Sequence, residues 1–321
     1  MNQKPRPSTK QLSNFLTDYH SSTINNLEPI SGGFWSSAFT YSVDSEHLVL
    51  RLGDMSEGFL MDQQAMQFKN GSLPIPDVLD VGEALGHHYA ISRRHFGKFL
   101  EDVPVEKSEA AGKALEKLLA GLRSVESSLD DPVLWYNPEA APDLTWHNWL
   151  RGGLIDNPDS ISGGWQETLA KNKPINAIFQ ACQARIEELL PFCPERRDLI
   201  HGDLLHQNVL LSEDSSETTA IFSWKCSARG DFLYDVAWCT IWSGWHPGIA
   251  ATDIWSRTLN APDLSPADLT DAAPRHHCYE LQIAASHFGW YIWTKNDEDL
   301  AAVAGAAQEV LERGPRSTSV A

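Results

Sequence analysis

The sequence predicts an α+β protein in two lobes, a small antiparallel β lobe over residues 1–93 and a larger, mainly helical lobe over residues 94–321. Three observations lead there. At 321 residues the chain is too long for one ordinary core. Its amino-terminal part alternates apolar and polar residues between Gly and Pro breaks, whereas beyond Arg94 the apolar spacing turns helical. A hydrophobic content of 42% supplies enough apolar surface for both cores.

Residues 1–30 read as a polar arm with a short helix near Gln11–Tyr19, the strand pattern starting at Glu28. Ser31 to Val43 reads as strand, glycine turn, strand, and His47 to Leu52 as a further strand. Phe59 to Phe68 has few breakers and suits a helix, closed by Asn70-Gly71. Leu73-Pro74-Ile75-Pro76 is an extended connector, because neither proline can donate to a ladder. Val78–Val81 and His88–Ser92 form a strand pair. Ser108 to Glu126 then carries Ala111, Leu115, Leu118, Leu119 and Leu122 on one helical stripe. A second long helix lies within Gln166–Phe192. Two short strands, Asn208–Leu211 and Thr219–Phe222, flank a polar turn. Helices are expected over Phe232–Ser243, Pro266–Ala272, Cys278–Trp293 and Leu300–Arg313, with Ser265-Pro266 as a cap-then-proline start. A cleft between two such lobes is a natural ligand site.

The net charge of −18 disfavours nucleic acid and anionic lipid as partners and favours a cationic small molecule, although solubility alone also accounts for it. Five cysteines with no Cys-x-x-Cys spacing fit neither a zinc site nor a disulfide framework, so reduced thiols in a cytoplasmic protein are expected. The start MNQKPRPSTK has no apolar core of a secretory signal, and no apolar run approaches the ~20 residues of a membrane span.

The strongest chemical signal is His201-Gly202-Asp203-Leu204-Leu205-His206-Gln207-Asn208-Val209-Leu210. A carboxylate at 203 is suited to orient a hydroxyl and accept its proton. In the protein-kinase catalytic loop that this spacing resembles, an amide oxygen five residues on is suited to reach a Mg²⁺ held between nucleotide phosphates. Apolar Leu199-Ile200 and Val209-Leu210-Leu211 pin both ends of the loop; a strand-loop-strand with incidental polar residues is the competing reading. This spacing resembles the catalytic loop of protein kinases, and the form with glycine at 202 looks like that of aminoglycoside phosphotransferases. Leu73 to Glu83, Ile91 to Arg94 and Cys193-Pro194-Glu195-Arg196-Arg197 resemble the hygromycin B phosphotransferase group, and the resemblance runs over roughly residues 28–300.

The resemblance implies a bilobal protein-kinase-like fold, ATP or GTP with Mg²⁺ as cofactors, and transfer of the γ-phosphoryl group to a hydroxyl of a small molecule such as an aminoglycoside. It makes Asp203 the base and Asn208 a metal ligand. Arg51 becomes the cation on the phosphates, with Asp62 as its helical partner; a surface arginine and a solvated aspartate are the plainer alternative. Gly32, Gly33, Ser36 and Ser37 fall in a phosphate-facing loop, Ser31 to Ser37, although the full GxGxxG is absent. Ser92 and Arg93 fall in the hinge that would hold adenine through backbone groups. His95 reads as solvated or stacking rather than a ligand.

One position departs from the pattern. Ser223, in Ala220-Ile221-Phe222-Ser223-Trp224-Lys225, stands where the family places a second metal-binding aspartate, while Gly230-Asp231-Phe232 downstream keeps the register. A hydroxyl is a poor replacement for a carboxylate on Mg²⁺. Three explanations stand at this point: a deliberate inactivation, a natural pseudokinase, or transfer of the metal to Asp231 or Asp235. The tryptophans at 238, 242 and 245 read as a packed stripe.

Overall fold

The computed structural model describes residues 4–30 and 33–318. Helix α1 spans Thr9–His20. Ser8 caps it, its hydroxyl accepting from the Gln11 amide while the Gln11 side chain returns to the Ser8 amide, so two orphan donors are satisfied together. Strands β1 (Asn25–Ile30), β2 (Ser36–Val43) and β3 (Glu46–Gly53) follow, then helix α2 (Glu57–Ala65), β4 (Val78–Ala84) and β5 (His87–Arg93). The five strands make one antiparallel sheet in the order β1-β2-β3-β5-β4.

The period-two pattern of β3 decides what each face of the sheet does. Leu48, Leu50 and Leu52 join Tyr41, Val43, Tyr89 and Ile91 in a core closed by Leu12 and Leu16, which stand four residues apart on α1. Arg51 therefore projects to the opposite face, where α2 lies; its guanidinium sits 5.0 Å from the Phe59 ring. The β2 strand begins at Ser36, so Ser36 and Ser37 are ladder residues rather than loop, and the Ser37 hydroxyl donates to the Pro5 carbonyl at 2.6 Å.

Strand β6 (Lys98–Phe99) pairs with β8 (Val209–Leu211), which pairs with β9 (Thr218–Ile221) in a three-stranded antiparallel sheet. Between β6 and β8 in the chain come α3 (Ser108–Arg123), α4 (Trp146–Gly152), α5 (Trp165–Lys171), α6 (Lys173–Leu189) and β7 (Asp198–Ile200). After β9 come β10 (Ala228–Gly230), paired with β7, then α7 (Leu233–Ile241), α8 (Pro247–Ala250), α9 (Ile254–Leu259), α10 (Ala272–Thr294) and α11 (Asp297–Arg313). Two compact units result: residues 1–103 with 203–226, and residues 104–202 with 227–321. No helix among the described residues is long and apolar enough to cross a membrane.

The expected helix over Pro266–Ala272 is a turn instead. Ser265 and Asp268 satisfy each other's amides, and Asp271 adopts a left-handed conformation (φ 51°), so α10 begins only at Ala272. Trp238 and Trp242 are buried and pack together with His287 against both, while Trp245 touches Trp242 but stays exposed.

Buried histidines give the second unit a distinct acid response. His276 and His277 are fully enclosed on α10, and burial pushes both imidazoles down to about 4. Neither ring nitrogen of His277 has a hydrogen-bond partner. Glu280 moves the other way: burial opposes its charge, but His276, Arg316 and Arg313 hold it down at about 2. As pH falls below about 6.5 the unfolded chain takes up histidine protons that the folded chain refuses, so stability drains from there toward pH 4. Glu280 adds a loss only below the ordinary carboxylate range. Melting temperature is thus expected to fall between pH 7 and 5, and His277→Leu to flatten that fall; an unchanged slope in the variant would count against it.

Candidate functional site

The segment 203–226 brings Asp203, Asn208 and the turn at 223 into the first unit, which also holds Arg51 and Asp62. The loop from Gly202 to Asn208 bends sharply. Gly202 has φ 73°, and His206 and Gln207 have φ 60° and 66°, values that cost side-chain-bearing residues energy and persist only when neighbours fix them. The fixing contacts are visible. Asn208 Nδ2 donates to the Asp203 carbonyl and to Asp203 Oδ2, both at 2.8 Å. The Gln207 amide donates to Glu101, and His206 Nδ1 lies 2.8 Å from Asp203 Oδ1. On the chain just before the loop, the amides of His201 and Gly202 both donate to the buried Asp235 at 2.8 Å.

These contacts set the local electrostatics. Burial opposes charge on His206, but the hydrogen bond to Asp203 and the negative charges of Asp203 and Glu101 outweigh it and raise its pKa above the ordinary histidine value. Burial raises Glu101, only partly offset by its backbone hydrogen bonds. The carboxylate at 203 therefore has one oxygen oriented by an amide and the other by an imidazole.

Hairpin β8–β9 carries the turn at 223 back to the loop. The Phe222 amide donates to the Asn208 carbonyl at 3.0 Å, so position 223 follows directly on a residue bonded to Asn208. Ser223 itself has φ 70°. The next amide, Trp224, donates to Asp62 Oδ1 at 2.8 Å, and Asp62 Oδ2 pairs with Arg51 Nη1 at 2.6 Å. Asp62 is 4% exposed, so this is not a solvated pair on a surface helix. One carboxylate thus ties strand β3, helix α2 and the turn at 223 together.

The remaining expected positions are distributed as follows. Gly32 lies outside the described residues, as does Ser31. Gly33 is exposed, with open space where a Cβ would stand. Ser92 is buried in β5, paired with Val49 and Val78. The Arg93 side chain is held by Glu46 at 2.9 Å and faces Asp77 at 3.6 Å, and its amide donates to the Asp77 carbonyl. His95 bonds to the Thr219 carbonyl at 2.6 Å and so is a structural tie rather than a solvated ring. Neither Asp231 nor Asp235 is available for a metal. Asp231 is sealed against Arg275, Tyr279 and the Leu233 amide, and Asp235 is committed to the two amides named above.

Among the described residues no group of three or more His, Cys, Asp or Glu side chains is placed to hold a metal. Asn208 keeps an amide oxygen for a cation, but Ser223 offers only a hydroxyl. Two neutral oxygens do not neutralise a dication, so these residues do not make the carboxylate-based Mg²⁺ centre that the resemblance implies.

Three residues escaped sequence reasoning. Glu101 is joined to Gln207 across 106 positions, with no pattern to announce it. His206 stood inside the quoted motif, and its spacing of three from Asp203 was the available signal. Lys225, two residues beyond Ser223, carried none.

Comparison with known proteins places the fold in a family. A family model described as phosphotransferase enzyme family (APH) matches residues 26–269. The hygromycin-B 4-O-kinase of Escherichia coli is 27% identical over 319 residues, 97% of this chain and 87% of the relative. A thermostable mutant of aminoglycoside phosphotransferase APH(4)-Ia, solved in ternary complex with ADP and hygromycin B, superposes with a TM-score of 0.79 at 22% identity over 96% of this chain and 100% of that one. Spectinomycin phosphotransferase APH(9)-Ia, in complex with ADP and spectinomycin, shares the fold at a TM-score of 0.58 and 13% identity over 96% and 98%. With the bilobal architecture described above and a match over most of its length, the chain belongs to the APH phosphotransferase enzyme family.

Proposed function

We propose that the protein transfers the γ-phosphoryl group of ATP or GTP to a hydroxyl of a small cationic molecule, an aminoglycoside such as hygromycin B, and that this transfer is slow because Ser223 replaces a metal-binding carboxylate. A role in antibiotic resistance in the cytoplasm, without nucleic-acid or membrane partners, accompanies that reading. The observation that carries it is the Asp203–Asn208 pair on a loop fixed beside the Arg51–Asp62–Trp224 tie. Asp203 accepts the proton of the acceptor hydroxyl as its oxygen attacks the γ-phosphorus. The bridging oxygen leaves with the nucleoside diphosphate. Arg51, fixed by Asp62, offsets charge on the phosphates. Asn208 and Ser223 would offer a nucleotide-bound Mg²⁺ only neutral oxygens, a weak hold for a dication whose chemistry is to offset phosphate charge.

A second reading, a pseudokinase that binds nucleotide or ligand without turnover, is favoured by Ser223 alone. Ser223→Asp separates the two. In the presence of Mg²⁺ and an aminoglycoside panel, the variant is expected to phosphorylate an acceptor at least about tenfold faster than the wild type, a barrier change of ~1.4 kcal/mol. Intact nucleotide binding with no phosphorylated product from either protein would assign the second reading.

A further inference from the structure

The turn that lacks a carboxylate has a cation two residues on. Lys225 sits in a short 3-10 turn, Trp224–Cys226, that packs on α2. Its ammonium pairs with Glu57 at 3.2 Å and stands 5.4 Å from the centre of the Trp35 ring. Trp35 belongs to the turn between β1 and β2, the segment expected to cover nucleotide phosphates. The Lys225 stem passes over Gly58, where an added Cβ would come within 3.8 Å of Cδ. The preceding amide, Trp224, is bonded to Asp62, the partner of Arg51. Two cations from different elements, Arg51 and Lys225, are therefore anchored to carboxylates of the same short helix, Asp62 and Glu57.

Charge bookkeeping gives this arrangement a meaning. Phosphoryl transfer needs positive charge against the β- and γ-phosphate oxygens, and the neutral pair Asn208 and Ser223 supports a dication poorly. Lysine is a flexible point charge well suited to phosphate. Its present partner Glu57 is mostly exposed, at 58%, so the ion pair is worth little and is cheaply exchanged for a polyanion.

We propose that Lys225 leaves Glu57 to bind the terminal phosphates of the nucleotide, supplying in this chain part of the positive charge that a carboxylate-held metal supplies elsewhere. The inference rests on the nucleotide-site reading above. Nucleotide binding then depends little on Mg²⁺ and strongly on Lys225.

The test is calorimetric titration of the full-length wild type, Lys225→Met, Lys225→Arg and Glu57→Gln with ATP, in Mg²⁺ and in EDTA, with adenosine as the control that has no phosphates. Lys225→Met is expected to weaken ATP by about 10- to 100-fold in EDTA while leaving adenosine unchanged. Lys225→Arg should retain most of the affinity, and Glu57→Gln should raise it by freeing the ammonium. ATP affinity in Lys225→Met within about twofold of a wild type that does bind ATP overturns this inference and leaves the phosphotransferase reading standing. So does a wild type that binds ATP only with Mg²⁺. A wild type that binds no nucleotide in either condition overturns both. Equal melting temperatures of the variants exclude misfolding as the cause of a loss.

Discussion

Asp203→Asn is expected to lower kcat for acceptor phosphorylation by about 10³-fold, the usual scale for removal of a general base, with nucleotide affinity retained. The substitution keeps shape and volume. An amide oxygen at the Oδ2 position still accepts from Asn208 Nδ2, which is 2.8 Å away in the wild type, so the loop keeps its main internal tie. What is lost is the capacity to take the hydroxyl proton. His206 also loses an ionised partner, so its raised pKa should fall toward the ordinary value. The measurement is steady-state kinetics with the best acceptor from the panel, in the Ser223→Asp background if the wild type is too slow, together with an ATP titration. A variant that keeps more than about a tenth of the rate would remove Asp203 from the role of base, whatever the fold.

Asp231→Ala is expected to cost about 3–5 kcal/mol of stability, lowering the melting temperature by roughly 5–10 °C. Asp231 is fully buried, and the Arg275 beside it is 1% exposed. The pair is bidentate, Nε and Nη2 of Arg275 donating at 2.8 and 2.7 Å, and Tyr279 adds a third bond at 2.7 Å. Arg275 Nη1 is spent on the carbonyls of Asp268 and Thr270. Removing the carboxylate leaves a guanidinium in the interior with no counter-charge and a tyrosine hydroxyl with no acceptor. Arg275→Met strands the opposite charge and should cost a similar amount. The double variant is expected to be milder than the sum of the singles, because no lone charge remains. Thermal melts of the four proteins decide it; additive losses would mean that the pair does not act as a unit.

The sequence was most informative where chemistry and local pattern coincide. Leu48, Leu50 and Leu52 alternate with Val49 and Arg51, so both the strand and the side on which Arg51 emerges could be read from the text. Asp203 and Asn208 were legible because their separation is fixed by one tight loop. Asp62 was legible only as the helical acid that a clamp on strand β3 requires. The failures have physical reasons. Helices α4, α8 and α9 have seven, four and six residues, too few for a 3.6-residue period to register. The helix expected after Pro266 lost to a Ser265–Asp268 turn that satisfied the same amides locally. Ser36 and Ser37 looked like loop because serine is common in turns; their partners Gly53 and Leu52 on β3 are what make them strand. Glu101, which braces the Gln207 amide, and Lys225 depend on distant neighbours and leave no local trace.

The way the chain doubles back has a practical result. Residues 203–226 belong with residues 1–103, so the sequence visits the first unit, leaves it for ninety-nine residues (104–202) and returns. A single splice after residue 93 would hand over Arg51 and Asp62 without the hairpin that carries Asn208 and Ser223. Grafting this half onto a sister enzyme calls for three junctions, near 103, 202 and 226; a chimera with one junction after residue 93 keeps the five-stranded sheet but takes the separate β6-β8-β9 sheet from the other protein.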